Sequence, residues 1–309
     1  MSDAVRDCLI VGGGVSGCTS AIYAKRYSLD VVVLDTLGGG GGATAMASLV
    51  ENYPGFPGGI TGVELAGRVH QQAADLGVDF RIATAERIAP ADGGWRVITG
   101  DESFLARTVI LTMGAFPRSL MVPGEVELRG KGVSYCATCD GFFYRGKTVA
   151  VVGGGNAAVD EALYLADLAG HVSLIHRRNE LRAESYMQEK ILGHDKVQVI
   201  WDTVVKQVLG EDEITGLELE NVKTGEVSQL TVDGLFVAIG HIAKTEWLAG
   251  LLDMEDGFIR TDEFMRTNQP GIFAAGDIRV TPLRQISTAV GDATMAAYSA
   301  YQYVLREGR

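Results

Sequence analysis

Cys136 and Cys139 stand three residues apart inside Ser134-Tyr135-Cys136-Ala137-Thr138-Cys139-Asp140-Gly141-Phe142-Phe143. Two cysteines at this spacing can close a small disulfide and reopen it by thiolate exchange, because a neighbouring sulfur, a helix N-terminus or a cation lowers a thiol's pKa. So short a loop removes little entropy from the unfolded chain, which makes a purely stabilising bridge a poor explanation. Half a zinc site is the competing reading, but the remaining cysteines, Cys8 and Cys18, fall in a strand and a helix where a small apolar residue fits. Asp140 stands where a carboxyl could hand a proton to a departing thiolate, if its surroundings raise its pKa; otherwise it is a surface aspartate.

Two glycine-rich turns must position this pair. The first follows a buried strand, Cys8-Leu9-Ile10-Val11, and runs Gly12-Gly13-Gly14-Val15-Ser16-Gly17 into a helical stretch beginning at Cys18. The next strand, Val31-Val32-Val33-Leu34, ends on Asp35. Glycines here allow a tight turn and let backbone amides approach a pyrophosphate at the helix N-terminus, while Asp35 can accept from a ribose hydroxyl. Strand, turn, helix and acid together predict a dinucleotide site.

The same grammar recurs where Val149-Ala150-Val151-Val152 leads into Gly153-Gly154-Gly155-Asn156-Ala157-Ala158 and a helix through Ala162-Leu163-Tyr164-Leu165. Its second strand, Val172-Ser173-Leu174-Ile175, ends not on an acid but on His176-Arg177-Arg178, with Arg182 further on. An acid suits a 2′-hydroxyl and an arginine cluster suits a 2′-phosphate, so the first site reads as one for FAD or NAD and the second as one for NADP. A solvated basic face is the plainer account of the arginines, and their place at the strand end argues against it.

The expected fold is therefore α/β, with two Rossmann-like dinucleotide-binding domains, the NADP-type inserted into the FAD-type. Apolar strands at Val109-Ile110-Leu111-Thr112 and Leu235-Phe236-Val237-Ala238-Ile239 precede the candidate crossings Gly114-Ala115-Phe116-Pro117 and Gly240-His241-Ile242. The boundaries expected are 1–115 for the first part of the FAD-binding domain, 116–244 for the inserted domain and 245–309 for the return. A domain held by two connections can rotate.

Composition agrees with this class. The chain has 309 residues, enough for two cores, and its 40 glycines against 7 prolines suit tight strand-to-helix turns. A formal charge of −12 opposes nonspecific attachment to nucleic acid or anionic lipid. The start, Met1-Ser2-Asp3-Ala4-Val5-Arg6-Asp7, lacks a basic segment followed by an apolar stretch, and no later run approaches the roughly 18 apolar residues of a membrane span, so a cytoplasmic protein is expected.

These residues resemble the low-molecular-weight bacterial-type thioredoxin reductases, FAD-containing homodimers among the pyridine nucleotide-disulfide oxidoreductases. The resemblance runs over nearly the whole chain, through Gly12-Gly13-Gly14, Glu51-Asn52-Tyr53-Pro54-Gly55, Cys136 to Gly141, Gly153 to Ala158, His176-Arg177-Arg178, Ala274-Ala275-Gly276-Asp277 and Arg284-Gln285. It implies a flavoprotein passing electrons from NADPH through FAD and a Cys136–Cys139 redox disulfide to thioredoxin. FAD would be held by Gly12, Gly13, Gly14, Val15, Ser16 and Gly17 at the pyrophosphate, Asp35 at the adenosine ribose and Asn52 near the isoalloxazine. Gly276 and Asp277 would lie at the ribityl chain, with Arg284, Gln285 and the Ile286 backbone beside the flavin, where a helix starting at that point aims its positive end at the ring. NADPH would use Gly153, Gly155, Asn156 and Ala157 at its phosphates, His176, Arg177, Arg178 and Arg182 around the 2′-phosphate, and Ile239 and Gly240 beyond. The resemblance also makes Cys139 the flavin-proximal sulfur and Cys136 the one that attacks the protein substrate, with the inserted domain rotating between half-reactions.

Three segments depart from the family's pattern. Gly-Gly-Gln is replaced by Gly41-Gly42-Ala43 in the run ending at Ser48, Ala-Thr-Gly by Thr112-Met113-Gly114, and Gly-His-x-Pro-Asn-Thr by Gly240-His241-Ile242-Ala243-Lys244-Thr245. The resemblance implies that the first departure costs a flavin hydrogen bond, and the other two fall at the expected crossings; neutral drift in loops is the plainer account of these changes. Alternatives that keep the flavin and dithiol are a ferredoxin-type donor, or a peroxiredoxin module or small dithiol as thiol substrate. The arginines favour NADPH, and the lack of an amino-terminal thioredoxin-like extension disfavours a fused peroxiredoxin reductase. A noncatalytic flavin redox sensor is the remaining alternative.

Overall fold

The computed structural model describes residues 5–47, 49–100 and 102–306. Met1 to Ala4, at the start weighed above for a leader, and Ser48, the end of the Gly41 run, lie outside the described residues. The chain divides into two compact units, Met1–Phe116 with Ile242–Arg309, and Pro117–His241 between them in sequence.

In the first unit, β1 (Arg6–Val11), α1 (Val15–Arg26) and β2 (Val31–Asp35) form a βαβ start, followed by α2 (Gly62–Asp75), β3 (Asp79–Ile82), β4 (Ala85–Ala91), β5 (Gly94–Thr99) and β6 (Ser103–Leu111). Among the described residues these build a seven-stranded sheet in the order β3-β2-β1-β6-β5-β4, with Ile272–Ala274 also on β6. β1 pairs in parallel with β2 and with β6, and Ile272–Ala274 pairs in parallel with Val109 to Leu111. Parallel central strands covered on both faces need continuous apolar runs, and Leu9, Ile10, Val31, Val32 and Val33 are fully buried. Thr61 caps α2, its Oγ1 accepting from the Glu64 backbone at 3.3 Å, the Thr-x-x-Glu arrangement that satisfies a free first-turn amide.

One element starts earlier than the sequence pattern suggests. Helix α1 begins at Val15 with Gly14 as its extended N-cap, not at Cys18, so Val15, Ser16 and Gly17 are already its first turn. A Cβ on Gly17 would overlap the Gly12 carbonyl oxygen, so this glycine is what lets the helix lie against the turn. The long helix α6 (Ile286–Arg306) crosses α1 through small residues: Ala289, Ala293, Ala296, Ala297 and Ala300 are buried. Ser20 Oγ reaches the Ala293 carbonyl at 3.2 Å, a close approach that larger side chains would prevent.

The second unit repeats the plan. Among the described residues, five parallel strands run in the order Val197–Ile200, His171–Ile175, Thr148–Val152, Gly234–Val237, Val133–Ser134. The last apolar strand thus ends at Val237, leaving Ala238 and Ile239 beyond it. α3 (Ala137–Asp140), α4 (Asn156–Leu168) and α5 (Ser185–Leu192) belong to this unit, as does an antiparallel meander of Thr203–Gly210, Ile214–Asn221 and Val227–Thr231. Phe236 and Leu165 pack with Val149, Val172 and Ala162 in a core separate from that of the first unit.

Candidate active site

The strand Val133–Ser134 delivers Tyr135 and then Cys136, which caps the one-turn helix α3. Cys136 and Cys139 are joined as a disulfide, and the Cys139 and Asp140 amides both donate to the Cys136 carbonyl, at 3.2 and 3.1 Å. Ser134 organises the turn from its other side: its Oγ accepts the Cys136 amide at 3.1 Å and donates to Asp140 Oδ2 at 2.5 Å. Burial pushes the Asp140 carboxyl above the ordinary aspartate range, with the Ser134 hydrogen bond opposing it. Asp140 is therefore not a freely solvated surface aspartate, and it holds a proton to higher pH than an exposed one. Thr138 Oγ1 lies 3.4 Å from Cys136 Sγ.

Cys8 and Cys18 contrast with this pair. Both are buried free thiols, and burial pushes them up to about 12 and about 11 respectively. A thiol with so little thiolate at neutral pH is inert, so they serve packing.

In the first unit the turn residues are drawn tightly together. The Asp35 carboxylate accepts the Gly13 amide at 2.7 Å on Oδ2, and those of Leu37 and Gly39 at 2.8 and 3.1 Å on Oδ1. Oδ2 keeps a lone pair for a further donor such as a ribose hydroxyl. Thr112, one of the departures, donates to the Val11 and Gly12 carbonyls at 2.9 Å each. It braces the glycine turn from within the first unit. The return of the chain sets Gly276 against Ser16, where a Cβ would overlap the serine hydroxyl. Burial raises the Asp277 carboxyl to about 6, with Arg284 opposing and Asp292 adding to the shift. Arg284 lies over the Phe258 ring at 4.3 Å, and its Nε is buried without a hydrogen-bond partner. Asn52 Nδ2 donates to Gln285 Oε1 at 3.0 Å across 233 positions of sequence, and Ile286 begins α6. A turn that excludes side chains, a helix N-terminus, a half-buried acid and an unsatisfied guanidinium nitrogen together fit a dinucleotide.

The second unit's turn is built differently. Helix α4 starts at Asn156 with Gly155 as N-cap, and space around a Gly155 Cβ is open to 4 Å. The Asn156 side chain is held by Glu184: Nδ2 donates to Oε1 at 3.2 Å and Oδ1 accepts the Glu184 amide at 2.9 Å. That leaves the first-turn backbone amides of Asn156 and Ala157 as donors a phosphate could use. His176 is only 5% exposed, its ring lying where a Gly154 Cβ would be. Burial lowers its pKa, so the ring supports the loop as a neutral imidazole. Arg177, Arg178 and Arg182 are exposed, and the Arg182 amide donates to the Gly154 carbonyl at 2.6 Å. Gly240 (φ 100°) accepts the Arg118 amide at 2.9 Å, and Ile239 is half-buried against the second core. The open glycine and three free-facing guanidiniums fit a phosphorylated dinucleotide.

A family model described as pyridine nucleotide-disulphide oxidoreductase matches residues 6–293. The chain belongs to this family. This oxidoreductase is 41% identical over 298 residues to a protein from Treponema pallidum named thioredoxin reductase, covering 96% of this chain and 97% of that one. A thioredoxin reductase from Mycolicibacterium smegmatis is 41% identical over 308 residues, 99% of each chain. The crystal structure of thioredoxin reductase from Streptococcus pyogenes matches with a TM-score of 0.94 at 41% identity, covering 99% of this chain and all of that one.

Sequence reasoning missed two carboxyls beside the oxidoreductase's dithiol. Glu161, on α4, accepts the Ala137 amide; burial raises it to about 7 and that amide opposes the rise. Glu125 is completely buried and accepts the Tyr135 hydroxyl at 2.8 Å. Neither carries a local signal, since each meets the dithiol segment only through the fold.

Proposed function

We propose that this oxidoreductase is a thioredoxin reductase that carries electrons from NADPH through FAD and the Cys136–Cys139 disulfide to thioredoxin. The observation that carries the reading is the closed Cys136–Cys139 bridge with a half-buried Asp140 at its end, its carboxyl pushed up by burial, on the unit whose glycine turn is flanked by exposed arginines. The relatives' names supply the partner protein.

Bound FAD supplies two-electron exchange, with NADPH on one side and a disulfide on the other. Gly12 to Gly17, Asp35, Asn52, Gly276, Asp277, Arg284, Gln285 and Ile286 hold it; Gly153, Gly155, Asn156, Ala157, Ile239 and Gly240 hold NADPH, with Arg177, Arg178 and Arg182 selecting its 2′-phosphate and His176 supporting the loop. When the bridge opens, Asp140 gives a proton to the departing thiolate. The Cys136 thiolate then attacks the thioredoxin disulfide, forming a mixed disulfide and releasing one thioredoxin thiol. Cys139 attacks Cys136 Sγ, re-forms the bridge and releases the second sulfur, so two electrons pass to thioredoxin, whose two thiols take one proton from Cys139 and one from solvent. Nicotinamide and dithiol belong to one unit and share one flavin, so they take turns, and the two crossings at 116/117 and 241/242 provide the hinge. The resemblance makes the working unit a homodimer, which sedimentation analysis checks.

Anaerobic mixing with NADPH, followed by addition of thioredoxin, tests the scheme. NADPH bleaches the flavin and thioredoxin restores its colour. Failure to bleach would instead indicate a ferredoxin-type donor, and bleaching without reduction of any thioredoxin would indicate another thiol substrate. Cys136→Ser or Cys139→Ser keeps flavin and abolishes thioredoxin reduction; retained turnover refutes the dithiol role.

A further inference from the structure

Glu125 has no part in the scheme above, yet it is 0% exposed and accepts four hydrogen bonds. Ser119 Oγ donates to its Oε2 at 2.6 Å and the Met121 amide to the same oxygen at 2.8 Å. The Leu120 amide and the Tyr135 hydroxyl each donate to Oε1 at 2.8 Å. Burial alone would raise this carboxyl, but its donors outweigh burial and hold it below the ordinary glutamate range. It is a buried, ionised carboxylate with its acceptor capacity largely used.

The donors come from two places that matter. Ser119 to Met121 is the stretch of chain just inside the crossing at 116/117, and the Arg118 amide beside it donates to the Gly240 carbonyl of the other crossing at 2.9 Å. Met121 has φ 61°, a left-handed conformation that a non-glycine residue keeps only when its neighbours over-determine it; the Met121 amide is held by both Ser119 Oγ, at 3.0 Å, and Glu125. Tyr135 is the residue before Cys136, and the Arg129 guanidinium lies over its ring at 4.8 Å. One residue further back, Ser134 holds both the Cys136 amide and Asp140.

We propose that Glu125 is a positioning residue for the redox dithiol, its carboxylate tying the chain just inside the crossing to Tyr135 so that Cys136 and Cys139 are held ready to close their bridge. The proposal rests on the redox role of the pair given above. Its physical content is effective concentration: a pre-ordered Tyr135–Cys136 segment keeps the two sulfurs together, and freeing it makes the open dithiol relatively more favourable. Glu125→Gln replaces one carboxylate oxygen with an NH2 that faces an N–H donor, so one end of the clamp loses its acceptor. Tyr135→Phe removes one hydrogen bond and leaves the clamp on Ser119 to Met121 intact.

The test is the equilibrium of the FAD-loaded protein with glutathione, in which two glutathione thiols become one glutathione disulfide and the Cys136–Cys139 bridge gains two electrons and two protons. Thiols are trapped by alkylation and counted by mass, without NADPH or thioredoxin, so failure here is distinguishable from failure of the functional scheme. The expected result is a shift toward the dithiol of about 3–10-fold in Tyr135→Phe and more in Glu125→Gln. If Tyr135→Phe keeps the wild-type equilibrium, the proposal is overturned, even if thermal stability falls. Tyr135→Phe decides the matter alone if Glu125→Gln does not fold.

Discussion

At the first glycine turn the residue ending the following strand, Asp35, folds back and accepts three backbone amides. At the second, the same station is held by His176, whose neutral ring fills the space under Gly154 while Arg177 and Arg178 face solvent. The turns also close differently. Gly12 (φ 103°) and Gly17 both sit where no Cβ fits, whereas Ala158 takes the station of Gly17 and Gly153 and Gly154 are the positions that must lack a side chain. Both solutions bring a helix N-terminus close to a strand end; they differ in which residue yields the space and in the sign of the charge left outside. The two βαβ starts therefore share a backbone plan and differ in the charge that the strand end presents.

Breaking the first turn should have the largest effect. In Gly17→Ala the new Cβ overlaps the Gly12 carbonyl, costing on the order of 3 kcal/mol or more; thermal unfolding and the flavin-to-protein absorbance ratio should both collapse. Gly155→Ala is the control, because its Cβ meets nothing within 4 Å. It should cost under about 1 kcal/mol of stability and weaken NADPH binding instead. Equal destabilisation by the two substitutions would erase the distinction between the turns.

The charge outside the second turn comes next. Removing both guanidiniums in Arg177→Ala, Arg178→Ala should lower the kcat/KM preference for NADPH over NADH by about 10–100-fold, with NADH turnover little changed. Asp35→Asn should follow, at about 1–3 kcal/mol of stability, since its NH2 group would face backbone donors where an acceptor stood. Differential scanning calorimetry reads this directly.

The smallest effect is the pH response of His176. Its pKa lies below 6.5 in the folded protein, so the unfolded chain binds the proton first as pH falls. Stability is present above pH 6.5 and declines as the pH falls from there through the folded pKa. His176→Gln should remove that slope from the unfolding curves. An unchanged slope would mean that the ring is not held neutral under the loop.

Period and punctuation made much of this chain legible. The two strand–glycine–helix units, their order, the acid at one strand end and the arginines at the other, and the cysteine pair are all local patterns, read from residues within about one βαβ unit of each other. Helix α1 was placed three residues late because a glycine inside a helix looks like part of the loop until the Gly12 carbonyl is seen against it.

Amino-acid order alone determined the local patterns: the cysteine pair, the two glycine turns ahead of helices, and the sign of charge at each strand end. Tertiary structure decided how their chemistry is tuned. Burial raised Asp140, Glu161 and Asp277 and made Cys8 and Cys18 inert. It also turned His176 into a support, and brought Glu125 to Tyr135 and Asn52 to Gln285. The division has one cause: type and spacing carry reactivity, but desolvation and hydrogen bonding depend on neighbours that only the folded chain assembles.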